Sequence, residues 1–498
     1  MKTMKNIIKC LTASLLVVNL SSCVDLDPEP LSFFAPENTF MDKEGLEALL
    51  ITSRKQIKWE WFGDAFNAGY CETPLVYEYA WSDISVMGAP EVKEIHNLET
   101  QLTPTTNMAL HLRYWDLAWN GIKYANTLIS RVPKSNIDNE DDKNQLLAEG
   151  YFHRAYWYYL LVNQWGDVPL LLEEVTGPKL DFYSTSRMKI LQQMKTDMEF
   201  AVKWLPKNVQ PGCVSRAAGE HLLAKIYLCT GDFQFAVDAT TRCINDYGLH
   251  LMKERFGVNA SEASLDVFND LFQEDNISAS ENKEAIFVVQ ERYGIEGNVA
   301  PKGSARMRNF VPYWCNGAAV KTPDGKQGTT YDAGPYEGYE WVEKLGRGIA
   351  KIRPTNYSQY AIWGKCGNDI RHNDNNWFNI SRLTYNRPAS KGGSEEYFGK
   401  PIERAFVSDT MRCYFSFPTV KTLIYKDDIN VGKTPTGGFT DTYVFRLAET
   451  YLMRAEAYYW LGNLPLAKED VNEIRRRAKA PELPSVTLDD ILDERARE

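Results

Sequence analysis

Apolar residues recur at helical spacing along most of the chain, and that recurrence fails in one long stretch. From Glu37 to Trp61 the positions Phe40, Leu46, Leu49, Leu50 and Ile57 predict a helix. From His111 to Arg131 the residues Trp115, Trp119, Ile122, Asn126 and Ile129 share one face, and Pro133 closes the element. Gln145 to Val162 carries rings on several sides, which predicts a helix buried between neighbours, ending in a turn at Gly166 and Asp167. Ser186 stands as the N-cap of a further helix through Ile190, Met194 and Ala201 to Trp204, stopped by Leu205-Pro206.

Two helix-turn-helix hairpins follow the same template. Asp441 to Ala478 places Ala455, Tyr458, Gly462, Leu464 and Ala467 where Ser215 to Tyr247 places Ala224, Tyr227, Gly231, Phe233 and Ala236. An alanine that lets helices approach, an aromatic a turn later, a glycine at the turn and an alanine on the second helix are the positions of a tetratricopeptide repeat. The copies are far apart in sequence, so they must meet in space across an insertion.

Within that insertion, Glu284 to Gln290 reads as a short strand by its β-branched run. Beyond it, from Tyr293 to about Pro435, periodicity fades and Gly, Asn, Tyr and Trp dominate. A segment of this length without regular pattern is usually functional. Aromatic planes interleaved with amides and charges suit a carbohydrate, whose apolar ring faces stack while its hydroxyls seek Asn, Asp and Arg. A second aromatic, loop-like stretch runs from Trp59 to Trp81 and on to Pro104. The ligand-binding candidates are Trp81, Asp83, Tyr313, Trp314, Asn316, Trp341, Trp363 and Trp377, although any one ring alone is more often core. Trp115, Trp119, Trp157 and Trp460 lie on helical patterns and are assigned to the core, as are Cys229 and Cys243. His153 and His221 read as satisfied structural residues. Asn368 to Asn376 offers oxygen ligands but lacks the spacing of a calcium loop and reads as solvated.

The N-terminus concerns location. Lys2, Lys5 and Lys9 precede an apolar run from Leu11 to Leu20, too short to span a bilayer but suited to a signal peptide, and Leu20-Ser21-Ser22-Cys23 is similar to a lipobox with Cys23 as lipid attachment site. An acidic, proline-bearing tether follows. A net charge of −10 and no basic stripe beyond Arg475 to Arg477 remove electrostatic support for nucleic-acid binding. The remaining cysteines show no CxxC pair, so neither a disulfide framework nor a zinc site is expected.

The lipobox, Ala125-Asn126 in a tryptophan-bearing helix, the aromatic helix ending in WGDVPL, the stop at Leu205-Pro206, LAKIYLCTGDF, and FRLAETYLMRAEAYYWLGN followed by VNEIRRRA and ERARE form an ordered set from about Leu20 to Glu498. That set resembles the SusD/RagB family of outer-membrane nutrient-binding lipoproteins of Bacteroidetes. The resemblance implies a mainly α fold, with four tetratricopeptide-like hairpins packed against an irregular, loop-rich lobe with few short strands. It also implies a partner, a SusC-like TonB-dependent transporter. In the family ERARE is followed by more chain, so a C-terminal truncation is expected here. The division expected is 1–22 signal peptide, 23–36 tether, 37–290 helical region, 291–435 aromatic ligand-binding lobe, and 436–498 hairpin and final helix.

The function expected is a cell-surface, outer-membrane glycan-binding lipoprotein that hands oligosaccharide to the transporter, with no cofactor, metal or chemistry of its own. The alternative within the family is a peptide or glycoprotein receptor. A glycoside hydrolase is more remote: no carboxylate pair can be located, and GxSxG, HExxH, Walker A and GxGxxG contexts are missing. A plain repeat adaptor fits neither the lipobox nor the aromatic insertion.

Overall fold

The computed structural model describes residues 40–62, 75–88, 103, 109–297, 304, 306–332, 336–424 and 438–498, with backbone alone at 75–77, 81 and 109–113. The expected lipid-attachment site Cys23, the signal peptide and the tether lie outside these residues, as does the side chain of Trp81.

Eight of the described helices pack in succession as four antiparallel pairs: α1 (Lys43–Phe62) with α2 (Ala109–Arg131), α3 (Glu140–Trp165) with α4 (Arg187–Trp204), α5 (Arg216–Thr230) with α6 (Phe233–Asn245), and α7 (Leu447–Trp460) with α8 (Leu464–Arg477). A last helix, α9 (Leu488–Arg497), lies against α7. Local chemistry sets the ends. Ser215 accepts from the Ala218 N–H and Asn463 from the Leu466 N–H, while Gly231 (φ 78°) and Gly462 (φ 76°) make the left-handed turns of the two hairpins. Ser186 occupies the N-cap of α4 without capping by its hydroxyl; the Asp167 carboxylate accepts from the Arg187 N–H at 2.8 Å instead.

The two matched hairpins do meet, through α6 against α7. Phe233 stacks on Trp460 with ring centroids 5.9 Å apart, and Arg454 donates to the Thr241 hydroxyl. Trp460 is therefore a rim residue, 49% exposed, and not the core ring its helical register predicts, because it lies at the hairpin tip where the solenoid ends. Trp157 is fully buried, and Gly121 is what admits it: a Cβ there would come within 2.1 Å of the indole nitrogen.

Between α6 and α7 the chain leaves the scaffold and returns. Strand β5 (Ala285–Val289) pairs antiparallel with β7 (Thr442–Arg446), closing the excursion at its base, with Phe287 and Phe445 in the scaffold core. The excursion has a second core of its own, around Val311, Trp314, Tyr385, Phe415 and Phe417. It is assembled from short helical turns and isolated bridges and is not structureless. A three-stranded antiparallel sheet stitches the N-terminal region to it: β1 (Trp81–Ser82), β2 (Ser85–Met87) and β6 (Ile352–Pro354). A separate two-stranded pair, β3 (Val168–Pro169) with β4 (Ser184–Thr185), follows the WGDVPL turn.

Two further expectations change. Residues 368–376 are not a solvated loop: Asp369, Arg371 and Asn376 are buried, and the Asn376 amide donates to Asp266 and to the Ile370 carbonyl. His221 is satisfied by Thr450 and Glu449, but His153 is buried with no hydrogen bond from either ring nitrogen to a described residue, its Nε2 lying 3.6 Å from the Glu149 carboxylate.

Candidate functional site

The β1–β2–β6 sheet positions the first part of a surface strip on the lobe. Val86 pairs with both Trp81 and Arg353, which places the three residues side by side across the sheet. Thr355 fixes the following turn, because its hydroxyl accepts from the Ser358 N–H and donates to the Asp83 carbonyl at 2.8 Å. That turn carries Tyr360 outward, 58% exposed, and leaves Asp83 in solvent.

Arg353 is the strip's main polar group. Its guanidinium lies over the Phe415 ring at 5.4 Å and reaches Met411, which is 48% exposed; among the described residues no carboxylate pairs with it. Burial lowers its affinity for the proton and Arg404 adds to that effect, while Tyr360 and, more weakly, the Asp409 carboxylate oppose it. Next to Met411, Arg412 covers the Tyr313 ring at 5.2 Å and accepts through its carbonyl from the Tyr313 N–H. The strip is thus linked step by step, from Asp83 through the Thr355 turn to Arg353, Met411, Arg412 and the half-buried Tyr313.

Beyond Tyr313 the surface dips into a pocket of about 250 Å³, lined among others by Asn316, Gln327, Thr329, Tyr331, Asp332 and Arg387. Two devices hold its walls. The Asn386 side chain brackets Thr330, accepting from its N–H and donating to its carbonyl. Gly317 allows close approach, since a Cβ there would come within 2.9 Å of both the Gln327 side chain and the Thr329 carbonyl. Tyr331 is held by Arg347, 4.3 Å over its ring. The Thr329 hydroxyl is fully buried and makes no hydrogen bond to a described residue.

Of the eight residues singled out in the sequence, Trp81, Asp83, Tyr313 and Asn316 fall on this strip, with Trp81 placed by its backbone alone. Trp314 does not. It is wholly buried in the lobe core and donates to the Gly346 carbonyl, whereas its neighbour Tyr313 is half-buried at the edge of that core. Trp341 packs on Phe378 and donates to Thr384, on the flank of that core. Trp363 and Trp377 line a different cavity of about 380 Å³ between the lobe and α9, where Trp363 stacks on His372 at 4.4 Å and Trp377 is buried. Arg306 and Lys421 line the same cavity, and burial pulls the Lys421 ammonium down to about 7. Arg353, Tyr360, Gln327, Thr329 and Arg387 carry no periodicity or spacing that marks them in the sequence; only the pairing of β2 with β6 and the closure of the 313–332 and 387 segments brings them into view.

Comparison with known proteins gives a consistent lineage. A family model described as "SusD family" matches residues 283–498, and one described as "Starch-binding associating with outer membrane" matches residues 72–228. The chain is similar to SusD-like protein P2 of Formosa agariphila, 29% identical over 240 residues, which are 47% of this chain and 46% of that protein. The matched stretch thus spans about half the length of that relative. Among solved structures, a laminarin-binding SusD-like protein superposes with a TM-score of 0.63 at 19% identity, covering 91% of this chain and 88% of that one. Surface glycan-binding protein A from Bacteroides thetaiotaomicron, in complex with laminarihexaose, gives 0.63 at 16% identity, with 91% and 86% covered. Four helical hairpins, a lobe inserted between the third and fourth, and both family matches lead to one conclusion: the chain belongs to the SusD/RagB family.

Proposed function

We propose that this protein is a glycan-binding lipoprotein of the outer-membrane surface, anchored through Cys23, which captures oligosaccharide or polysaccharide and delivers it to a SusC-like TonB-dependent transporter without chemistry of its own. The domain scheme expected from the sequence belongs to the same proposal, with the ligand surface on the 291–435 lobe and on the 81–87 strands paired to it. The observation that carries the reading is the strip from Asp83 to Arg387: rings and apolar side chains open to solvent, flanked by a guanidinium with no carboxylate partner among the described residues and by amides. Stacking on Tyr360 and hydrogen bonds from Arg353 suit a sugar chain laid across it. Relatives whose names record laminarin, laminarihexaose or starch support the same class of ligand.

The test is isothermal calorimetry with laminarin and with starch-derived oligosaccharides. The double variant Arg353→Ala with Tyr360→Ala is expected to lose about tenfold or more in affinity, equivalent to ~1.4 kcal/mol. Unchanged affinity in that variant would remove the strip as the binding surface, and release of shortened sugars on long incubation would replace the binding role with an enzymatic one.

A further inference from the structure

The pocket at the end of the strip is built differently from the strip itself. It is concave, and its volume of about 250 Å³ lies below the roughly 300 Å³ at which pockets begin to hold drug-sized ligands. One sugar ring is the scale of ligand it admits. Its lining leaves several groups unspent. The Asn316 carbonyl oxygen accepts from the Ala318 N–H, but its amide nitrogen has no partner among the described residues. Among the described residues Arg387 spends only Nε, on the Lys391 carbonyl, and the Gln327 amide makes no side-chain hydrogen bond. Thr329 stands behind this wall, its hydroxyl wholly buried without a hydrogen-bond partner among the described residues, so the wall's free donors and acceptors are those of Asn316, Gln327 and Arg387.

Charge decides the class of ligand. The lining carries both signs, Asp332, which is paired with the Lys391 ammonium at 3.4 Å, and Arg387. Donors and acceptors of both kinds on one small wall match a neutral polyhydroxyl group, which donates and accepts at each oxygen. We infer that this pocket lodges a single neutral terminal sugar residue, so that the protein grips a glycan by its chain end while the body of the chain lies across the strip. The inference rests on the glycan-binding reading and adds to it a polarity and an end preference.

The experiment is calorimetry on the full chain with laminarihexaose, maltohexaose and xylohexaose, each also in its borohydride-reduced form and in a form blocked at the non-reducing end. Altering the end that enters the pocket is expected to weaken binding at least tenfold, while altering the other end changes little. Gln327→Ala, an exposed position whose loss leaves the fold intact, and Asn316→Ala should each weaken binding of the native hexasaccharide and abolish the discrimination between ends. Thermal melts of both variants check folding. If the native chain binds these sugars but treats both ends alike, or if the pocket variants bind as the native chain does, the pocket is not a sugar subsite although the strip still binds glycan. If no hexasaccharide in any form binds, the glycan-binding reading and this inference fall together.

Discussion

At the scale of single residues, the motifs that mark the family are mostly buried polar joints. Asn126 is 2% exposed, donates to the Leu171 carbonyl and accepts from Arg154, whose guanidinium is clamped in two-point contact with Asp197 at 2.8 and 2.9 Å. The Arg154 nitrogen that serves Asn126 also donates to the Leu172 carbonyl. One arginine thus ties α3 to α2, α4 and the segment after WGDVPL. A buried guanidinium survives only with each donor matched, and removing one partner strands the other charge. Arg154→Ala is expected to destabilise the protein by about 3–5 kcal/mol, read as a lower urea midpoint with unchanged slope. A loss under about 1 kcal/mol would mean the joint is not a structural requirement. FRLAE, RRRA and ERARE behave alike: Arg446 and Arg477 both meet Glu284, Arg475 meets Glu494, and Arg371 of the lobe meets Asp369 and Glu494.

At the scale of elements, the hairpins show why two matched sequences give two matched structures. The small residues at equivalent places, Ala224 and Ala455, are fully buried at the helix crossings, as are Ala236 and Ala467. Both turns require a positive φ, and a Cβ at either glycine would meet nothing within 4 Å, so only backbone conformation is at stake. Gly231→Ala and Gly462→Ala are each expected to cost about 1–2 kcal/mol, nearly equally and additively, in chemical denaturation. A cost confined to one of them would show that the hairpins do not share their turn geometry under load. The strands were less legible. β5 stands out by its run of Ile286, Phe287, Val288 and Val289, but β1, β2 and β6 are two or three residues long, too short for an alternating pattern to register.

At the scale of the molecule, buried ion pairs brace the scaffold within itself, at Glu449, and to the lobe, at Glu494 with Arg371, and their protonation sets acid stability. Burial alone would raise the Glu449 carboxyl, but Lys225, His221 and Arg495 outweigh it and hold it well below the usual carboxylate range. Burial likewise opposes, and Arg371, Arg497 and Arg475 prevail, at Glu494. A carboxylate depressed in the folded state adds stability that is present above its unfolded pKa of about 4.5 and is lost as pH falls towards its folded value. Glu60 and Glu78 act with the opposite sign: burial raises both, so their contribution is whole below about 4.5 and declines as pH rises through their folded values. The melting temperature is therefore expected to be lower at pH 3 than at pH 5. Glu449→Gln should lose stability at pH 7 and fall less steeply on acidification; a variant as acid-sensitive as the native chain would assign the acid limb to other groups.

The sequence by itself determined the hairpins, their register and the existence of an aromatic lobe between them, because helical periodicity, caps and turn glycines act over a few residues and are written locally. It also held the polar joints, as recognisable strings, without saying what they join. Which rings face solvent was decided only by tertiary structure. Adjacent Tyr313 and Trp314 part company, one on the strip and one in the core, because the lobe folds around a core that gathers residues as distant as Val311 and Phe417. The strip itself exists because residues 81–87 cross to pair with 352–354, and a pairing across that separation leaves no trace in composition or spacing.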